Sequence, residues 1–144
     1  MTIRGIRRKA EVYMRILVAE DDLASRKFLS KFLSQYGEVD VAIDGVEAVE
    51  QFGSQVEAGN FYDLVCLDIM MPKIDGYKAL EVMREIEGNF EVPNEKRVKV
   101  ILTSALNETE STLDIKASGY DGYAIKPIDM DKFTALMQKL GLLS

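Results

Sequence analysis

The chain has 144 residues, a formal net charge of −6, 47% hydrophobic and 29% charged residues, the size and mix of one folded domain with its own core. It contains no histidine and one cysteine, which excludes histidine-based acid–base catalysis, Ser-His-Asp triads, His-ligated zinc, a histidine phosphocarrier role and an internal disulfide. Its apolar runs are too short to cross a bilayer, its basic N-terminus lacks the apolar core of a secretory signal, and its acidity opposes nucleic acid, so a cytoplasmic location without membrane or nucleic-acid partner is expected.

In chain order, residues 1–13 carry Arg4, Arg7, Arg8 and Lys9 and are read as a solvated basic tail, or as an extension set by start-site choice. Residues 14–144 form the domain. A largely apolar strand is expected over 15–19 (RILVA), then a helix over 23–36 with Ala24, Phe28, Leu29, Phe32, Leu33 and Tyr36 on one face and Gly37 as its stop. A second strand follows at 38–42. Asp44 should cap a helix running to about residue 58, with Val46, Val49, Phe52 and Val56 inward. Residues 64–68 (LVCLD) form a continuous apolar strand ending in an acid, with Cys66 as a buried, inert thiol. A third helix is expected over 76–87, with Leu80, Met83 and Ile86 apolar, and then a polar loop over 88–97 containing Pro93. A fourth strand at 98–103, a weakly amphipathic helix at 108–118 and a fifth strand at 122–125 come next. A last helix at 129–140 carries Met130, Phe133, Leu136, Met137 and Leu140 on one face.

Five strands alternating with five helices imply a three-layer α/β/α fold around a doubly wound, five-stranded parallel sheet. Such folds bind ligands beyond the carboxyl ends of their strands. There stand Glu20, Asp21 and Asp22, then Asp68, then Thr103 and Ser104, then Lys126 and Pro127. Clustered carboxylates repel one another, and Mg²⁺, which favours carboxylate, carbonyl and phosphate oxygens, resolves that conflict. Asp22 reads as a helix cap and Asp21 as a metal ligand. A carboxylate can also attack phosphorus and form an aspartyl phosphate, a transfer that needs positioning and positive charge near the equatorial oxygens. Lys126 could supply charge, and Ser104 a hydrogen bond.

The segments LVAEDD, LDIMMPKIDG, ILTSA and GYAIKP resemble, in that order, the motifs of the response-regulator receiver family, over about residues 15–140. The resemblance implies a flavodoxin-like fold with strand order 2-1-3-4-5. It implies Asp68 as the phosphoacceptor, Glu20 and Asp21 as the acidic pair, and the Met70 backbone carbonyl as completing a Mg²⁺ site with Asp68. Ser104 becomes the switch hydroxyl, with neighbouring Thr103 as the other candidate. Lys126 becomes the phosphate-pairing lysine, before a cis Lys126–Pro127 bond, and Tyr123 the aromatic switch. Pro72 and Gly76 set the loop after Asp68, and Asp75 caps the third helix.

The implied function is a stand-alone response regulator of a two-component or phosphorelay system. It is not a conventional enzyme and promotes only its own phosphoryl acceptance and slow dephosphorylation. The implied donor is a sensor histidine kinase or histidine phosphotransfer protein. Phosphorylation would switch the face of fourth helix, fifth strand and fifth helix toward a downstream target, with the protein a monomer or a phosphorylation-linked dimer. Met70 and Leu106, two positions after the acceptor and the hydroxyl, are apolar, which points to slow loss of phosphate. Two alternatives stand beside this reading: a phosphorylation-independent pseudo-receiver, and an aspartate-nucleophile phosphohydrolase, whose second aspartate is replaced here by Met70.

Overall fold

The computed structural model describes residues 13–105 and 119–144. The first strand, β1 (Met14–Ala19), is buried at nearly every position, as a central strand covered on both faces must be. Asp22 then starts α1 (Leu23–Leu33), its carboxylate accepting the Ser25 N–H at 2.8 Å. The next elements are β2 (Gly37–Ala42), α2 (Gly45–Glu57), β3 (Leu64–Asp68) and α3 (Gly76–Asn89). Asp44 and Asp75 cap α2 and α3 through the N–H groups of Glu47 and Lys78, both at 2.8 Å. A short 3₁₀ turn (Asn94–Lys96), β4 (Lys99–Ala105), β5 (Gly122–Lys126) and α4 (Met130–Lys139) complete the described residues. The helix expected over 108–118, like the basic tail over 1–12 and Leu106, lies outside them.

All strands are parallel, in the order β2-β1-β3-β4-β5. The chain is a doubly wound α/β domain with a core on each face of the sheet. On one face Leu17, Val65, Leu67, Val100 and Leu102 pack with Phe52 of α2 and Leu80 and Met83 of α3. On the other, Ile16, Val18, Cys66 and Ile101 pack with Leu29 and Phe32 of α1 and Phe133 and Met137 of α4. Cys66 is 1% exposed, and burial pushes its thiol pKa up, so it stays protonated and inert.

Three details depart from expectation. Gly37 does not stop the first helix: α1 ends at Ser34 in right-handed geometry, and Gly37 opens β2. It must be glycine because a Cβ there would lie 2.0 Å from the Met14 carbonyl oxygen. Ala24 and Phe28 of α1 are exposed rather than inward, and so is Met130 at the first position of α4. Helix α3 continues two residues beyond its expected end, to Asn89.

β2 is an edge strand. Its even-numbered residues bond to β1, as the Glu20 N–H to Ala42 carbonyl bond of 3.0 Å illustrates. The odd-numbered backbone groups face outward. One of these, the Val41 carbonyl, accepts from Gln51 Nε2 of α2 at 2.7 Å, and just past the end of the strand the Ile43 N–H donates to Glu47 Oε1 of α2 at 2.9 Å.

Candidate functional site

Because the strands are parallel, their carboxyl ends share one edge of the sheet. β1 and β3 are neighbours, so the acids that follow β1 stand beside the acid that ends β3. Glu20 is fully buried, Asp68 is 4% exposed and Asp21 is exposed. One carboxylate oxygen from each lies within 4.8 Å of the others. From the end of β5, Lys126 reaches in, with Nζ 2.7 Å from Glu20 Oε1 and 3.2 Å from Asp68 Oδ2. The Lys126–Pro127 peptide bond is cis.

Local bonds hold these groups. The second Glu20 oxygen accepts the Asp22 N–H at 3.0 Å, and Arg26 Nη1 donates to the Glu20 carbonyl at 2.8 Å. The Met70 N–H donates to Asp68 Oδ1 at 3.3 Å. Gly76 donates its N–H to the Ile69 carbonyl at 2.8 Å, and a Cβ on Gly76 would lie 2.4 Å from the Asp68 carbonyl oxygen. Only glycine lets α3 start this close behind Asp68.

Three carboxylates face one ammonium. Burial first, then the charge of Glu20, pushes the Asp68 pKa up to about 7, against the opposing pull of Lys126. Burial works against the Lys126 ammonium, but hydrogen bonding and charge from Glu20 and Asp68 prevail and raise its pKa. Ionising all three acids leaves them in like-charge conflict that Lys126 alone does not balance, and a divalent cation with oxygen ligands relieves it. The donor set therefore fits Mg²⁺.

Alternation along β4 places Ser104 and Thr103 on opposite faces. Ser104 is fully buried and its Oγ lies 2.7 Å from the Tyr123 hydroxyl. Thr103 instead uses its carbonyl, accepting the Ile69 N–H at 2.9 Å. Tyr123 is partly buried against the core on the α2–α3 side. Asp22 and Asp75 serve as caps. Met70 extends into solvent, 60% exposed.

The profile of the response regulator receiver domain matches residues 16–138. The chain belongs to this family. Receiver domains are signalling modules of two-component and phosphorelay systems rather than conventional enzymes. This receiver is similar to the chemotaxis protein CheY of Treponema pallidum, at 34% identity over 82% of the chain and 76% of that protein. It is similar to the peroxide stress-activated histidine kinase mak1 of Schizosaccharomyces pombe, at 32% identity over 85% of the chain. The match spans only 7% of that kinase and 7% of the hybrid signal transduction histidine kinase L of Dictyostelium discoideum. Among solved structures, the CheX-CheY-BeF3-Mg complex of Borrelia burgdorferi is similar over 96% of both chains, with TM-score 0.74 and 29% identity. The receiver domain of the Francisella response regulator 1452 is similar over 88% of this chain and 98% of that one, with TM-score 0.64 and 31% identity. No helix among the described residues is long and apolar enough to cross a membrane.

Sequence reasoning overlooked Arg26. Its position one turn into α1, five and six residues after the acidic pair, was the available signal that it could reach back to their carbonyls.

Proposed function

We propose that this receiver accepts a phosphoryl group on Asp68 in a Mg²⁺-dependent reaction and relays the event through Ser104 and Tyr123. The observation that carries the reading is the convergence of Glu20, Asp21 and Asp68 within 4.8 Å while Lys126 Nζ bonds two of them at 2.7 and 3.2 Å. Glu20, Asp21, Asp68 and the Met70 backbone carbonyl would hold Mg²⁺, with Asp21 the more direct ligand and Glu20 acting mostly through water. The ion supplies positive charge against the phosphoryl oxygens.

In the transfer, an Asp68 carboxylate oxygen forms a bond to phosphorus as the phosphorus–nitrogen bond of a donor phosphohistidine breaks. The electron pair leaves with the imidazole. The donor is a sensor histidine kinase or a histidine phosphotransfer protein, which accords with the histidine kinases among the relatives. The acid must be ionised to attack, and Lys126 favours that form. Once phosphorus is attached, Lys126 pairs with a phosphoryl oxygen. Ser104 exchanges its bond with Tyr123 for one to the phosphoryl group, and Tyr123 turns inward. The face carrying β5 and α4 then changes shape for a downstream target protein. Residues 14–144 act as the receiver unit.

Incubation with Mg²⁺ and acetyl phosphate should give an acyl phosphate, detected by mass and by its sensitivity to hydroxylamine. Absence of Mg²⁺ binding would favour the pseudo-receiver, and sustained turnover of phosphate esters would favour the phosphohydrolase. The lifetime of the acyl phosphate should be long, because the exposed Met70 side chain cannot orient an attacking water. Met70→Asn is expected to speed loss of phosphate by about tenfold, within what a water aligned by one hydrogen bond contributes. Equal decay rates for the two proteins would refute this role.

A further inference from the structure

The loop after Asp68 carries Met70, and its shape is set from outside the loop as well as within it. The Ile74 N–H donates to the Pro72 carbonyl at 2.9 Å, and Lys73 between them has a φ of 75°. This is a tight three-residue turn of a kind rare for residues other than glycine. The turn leans on the head of α2. The Gly45 N–H donates to the same Pro72 carbonyl at 3.4 Å, and Lys73 Nζ lies 3.3 Å from Asp44 Oδ2. Gly45 is so close that a Cβ there would lie 2.1 Å from the Ile74 carbonyl oxygen and 2.4 Å from Ile74 Cγ1. Asp44 is 7% exposed and held by its capping bond to the Glu47 N–H. At the far end of the loop, Gly76 meets Asp68 and Ile69 with the same lack of spare room.

We propose that Asp44 and Gly45 form a brace that fixes loop 69–75, and so act as positioning residues for the Met70 carbonyl and the Asp68 carboxylate. The inference rests on the reading of Asp68, Glu20 and Asp21 as the phosphoryl and metal site. The physical ground is Mg²⁺ itself, which demands near-ideal octahedral ligands, so a displaced loop carbonyl weakens the site even when every ligand residue is present. A side chain at residue 45 cannot be absorbed by a flexible neighbour, since the nearest atom is backbone oxygen. The loop must move.

The test compares Gly45→Ala with Gly37→Ala in the full chain. Both insert a Cβ against a carbonyl oxygen, at 2.1 and 2.0 Å, but Gly37 meets Met14 at the opposite end of the sheet. Amide chemical shifts of residues 69–76 are recorded without metal, then Mg²⁺ is titrated, and melting temperature is measured alongside. Gly45→Ala is expected to shift the loop amides and weaken Mg²⁺ binding by about tenfold, less than the roughly hundredfold that a misplacement of about 1 Å can cost. Gly37→Ala is expected to lower the melting temperature with Mg²⁺ affinity within about twofold of wild type, since its strain lies away from the ligands. Asp44→Asn keeps the cap acceptor and removes the charge facing Lys73. It should shift the same amides and weaken Mg²⁺ by about two- to threefold, the scale of one ion pair whose lysine is exposed to solvent, and it carries the test if Gly45→Ala does not fold. Unmoved loop amides and unchanged affinity in the variants that fold, or equal weakening by Gly45→Ala and Gly37→Ala, would overturn the brace. Failure of wild type to bind Mg²⁺ would instead remove the site reading, while the metal-free amide shifts would still report on the brace.

Discussion

Asp68→Asn is expected to reduce phosphoryl acceptance to background, and at the same time to make the metal-free protein more stable at pH 8. The first effect follows because an amide oxygen is a far poorer nucleophile toward phosphorus than a carboxylate. The second follows from the crowding of three acids around one ammonium. In the folded chain the Asp68 pKa stands at about 7, above its ordinary value of 3.8. The folded state therefore binds the proton more tightly than the unfolded state. Stability conferred by that proton is present below the ordinary pKa and is lost as pH rises through about 7. The amide has no such titration, keeps the shape, and should gain about 1–2 kcal/mol over wild type at pH 8 by removing a buried like charge. Urea unfolding of both proteins at pH 5 and pH 8 without metal measures it. Asp68→Asn being the less stable protein at pH 8 would contradict the electrostatic account, and retained phosphorylation would contradict the chemical one.

Lys126→Met should act in the opposite direction on stability. Its ammonium is the cation bonded to both Glu20, which is fully buried, and Asp68. Methionine fills similar volume but leaves two buried carboxylates facing each other, and loss of one partner from a buried charge cluster costs about 3–5 kcal/mol when the remaining charge cannot relax. Here a carboxylate can take up a proton, so about 2–4 kcal/mol at pH 8 is expected. The deficit should shrink as pH falls and the acids become neutral, and millimolar Mg²⁺ should recover part of it by replacing the missing positive charge. Phosphoryl acceptance should slow as well, because the phosphoryl oxygens lose their pairing group. A pH-independent deficit would mean that Lys126 acts through packing alone.

Much of this protein could be read before its coordinates. Central parallel strands have no polar face, so RILVA and LVCLD stand out as continuous apolar runs, and alternation with helical periods leads directly to the covered sheet. The convergence of Glu20, Asp21, Asp68 and Lys126 was legible for a related reason: a strand that ends in a charged residue places it at the sheet edge where ligands bind. Elsewhere the signals were ambiguous. Glycine after a helix usually marks its end, but Gly37 is there because β2 passes the Met14 carbonyl too closely for a Cβ. Phe28 has the right helical spacing for burial, yet it flanks an open cleft with Ala24, Pro127 and Ile128 beyond the end of the sheet. It stacks on Phe32 at 6.4 Å instead of entering the core. The contact of Gly45 with Ile74 joins the first residue of α2 to the loop before α3, and a helix-end contact with a distant loop leaves no periodic trace in a sequence.

The α2 side chains at the rim of β2 have a bearing on how this molecule behaves in a crowded solution. An unpaired outer strand offers rungs onto which another chain could zip, the first step toward amyloid-like stacking. Gln51 occupies one of those rungs at Val41, and Glu47 closes off the strand's end at Ile43. They act as a selvedge on the fabric of the sheet, and stripping them would be felt as precipitation at high concentration before any change in phosphate chemistry.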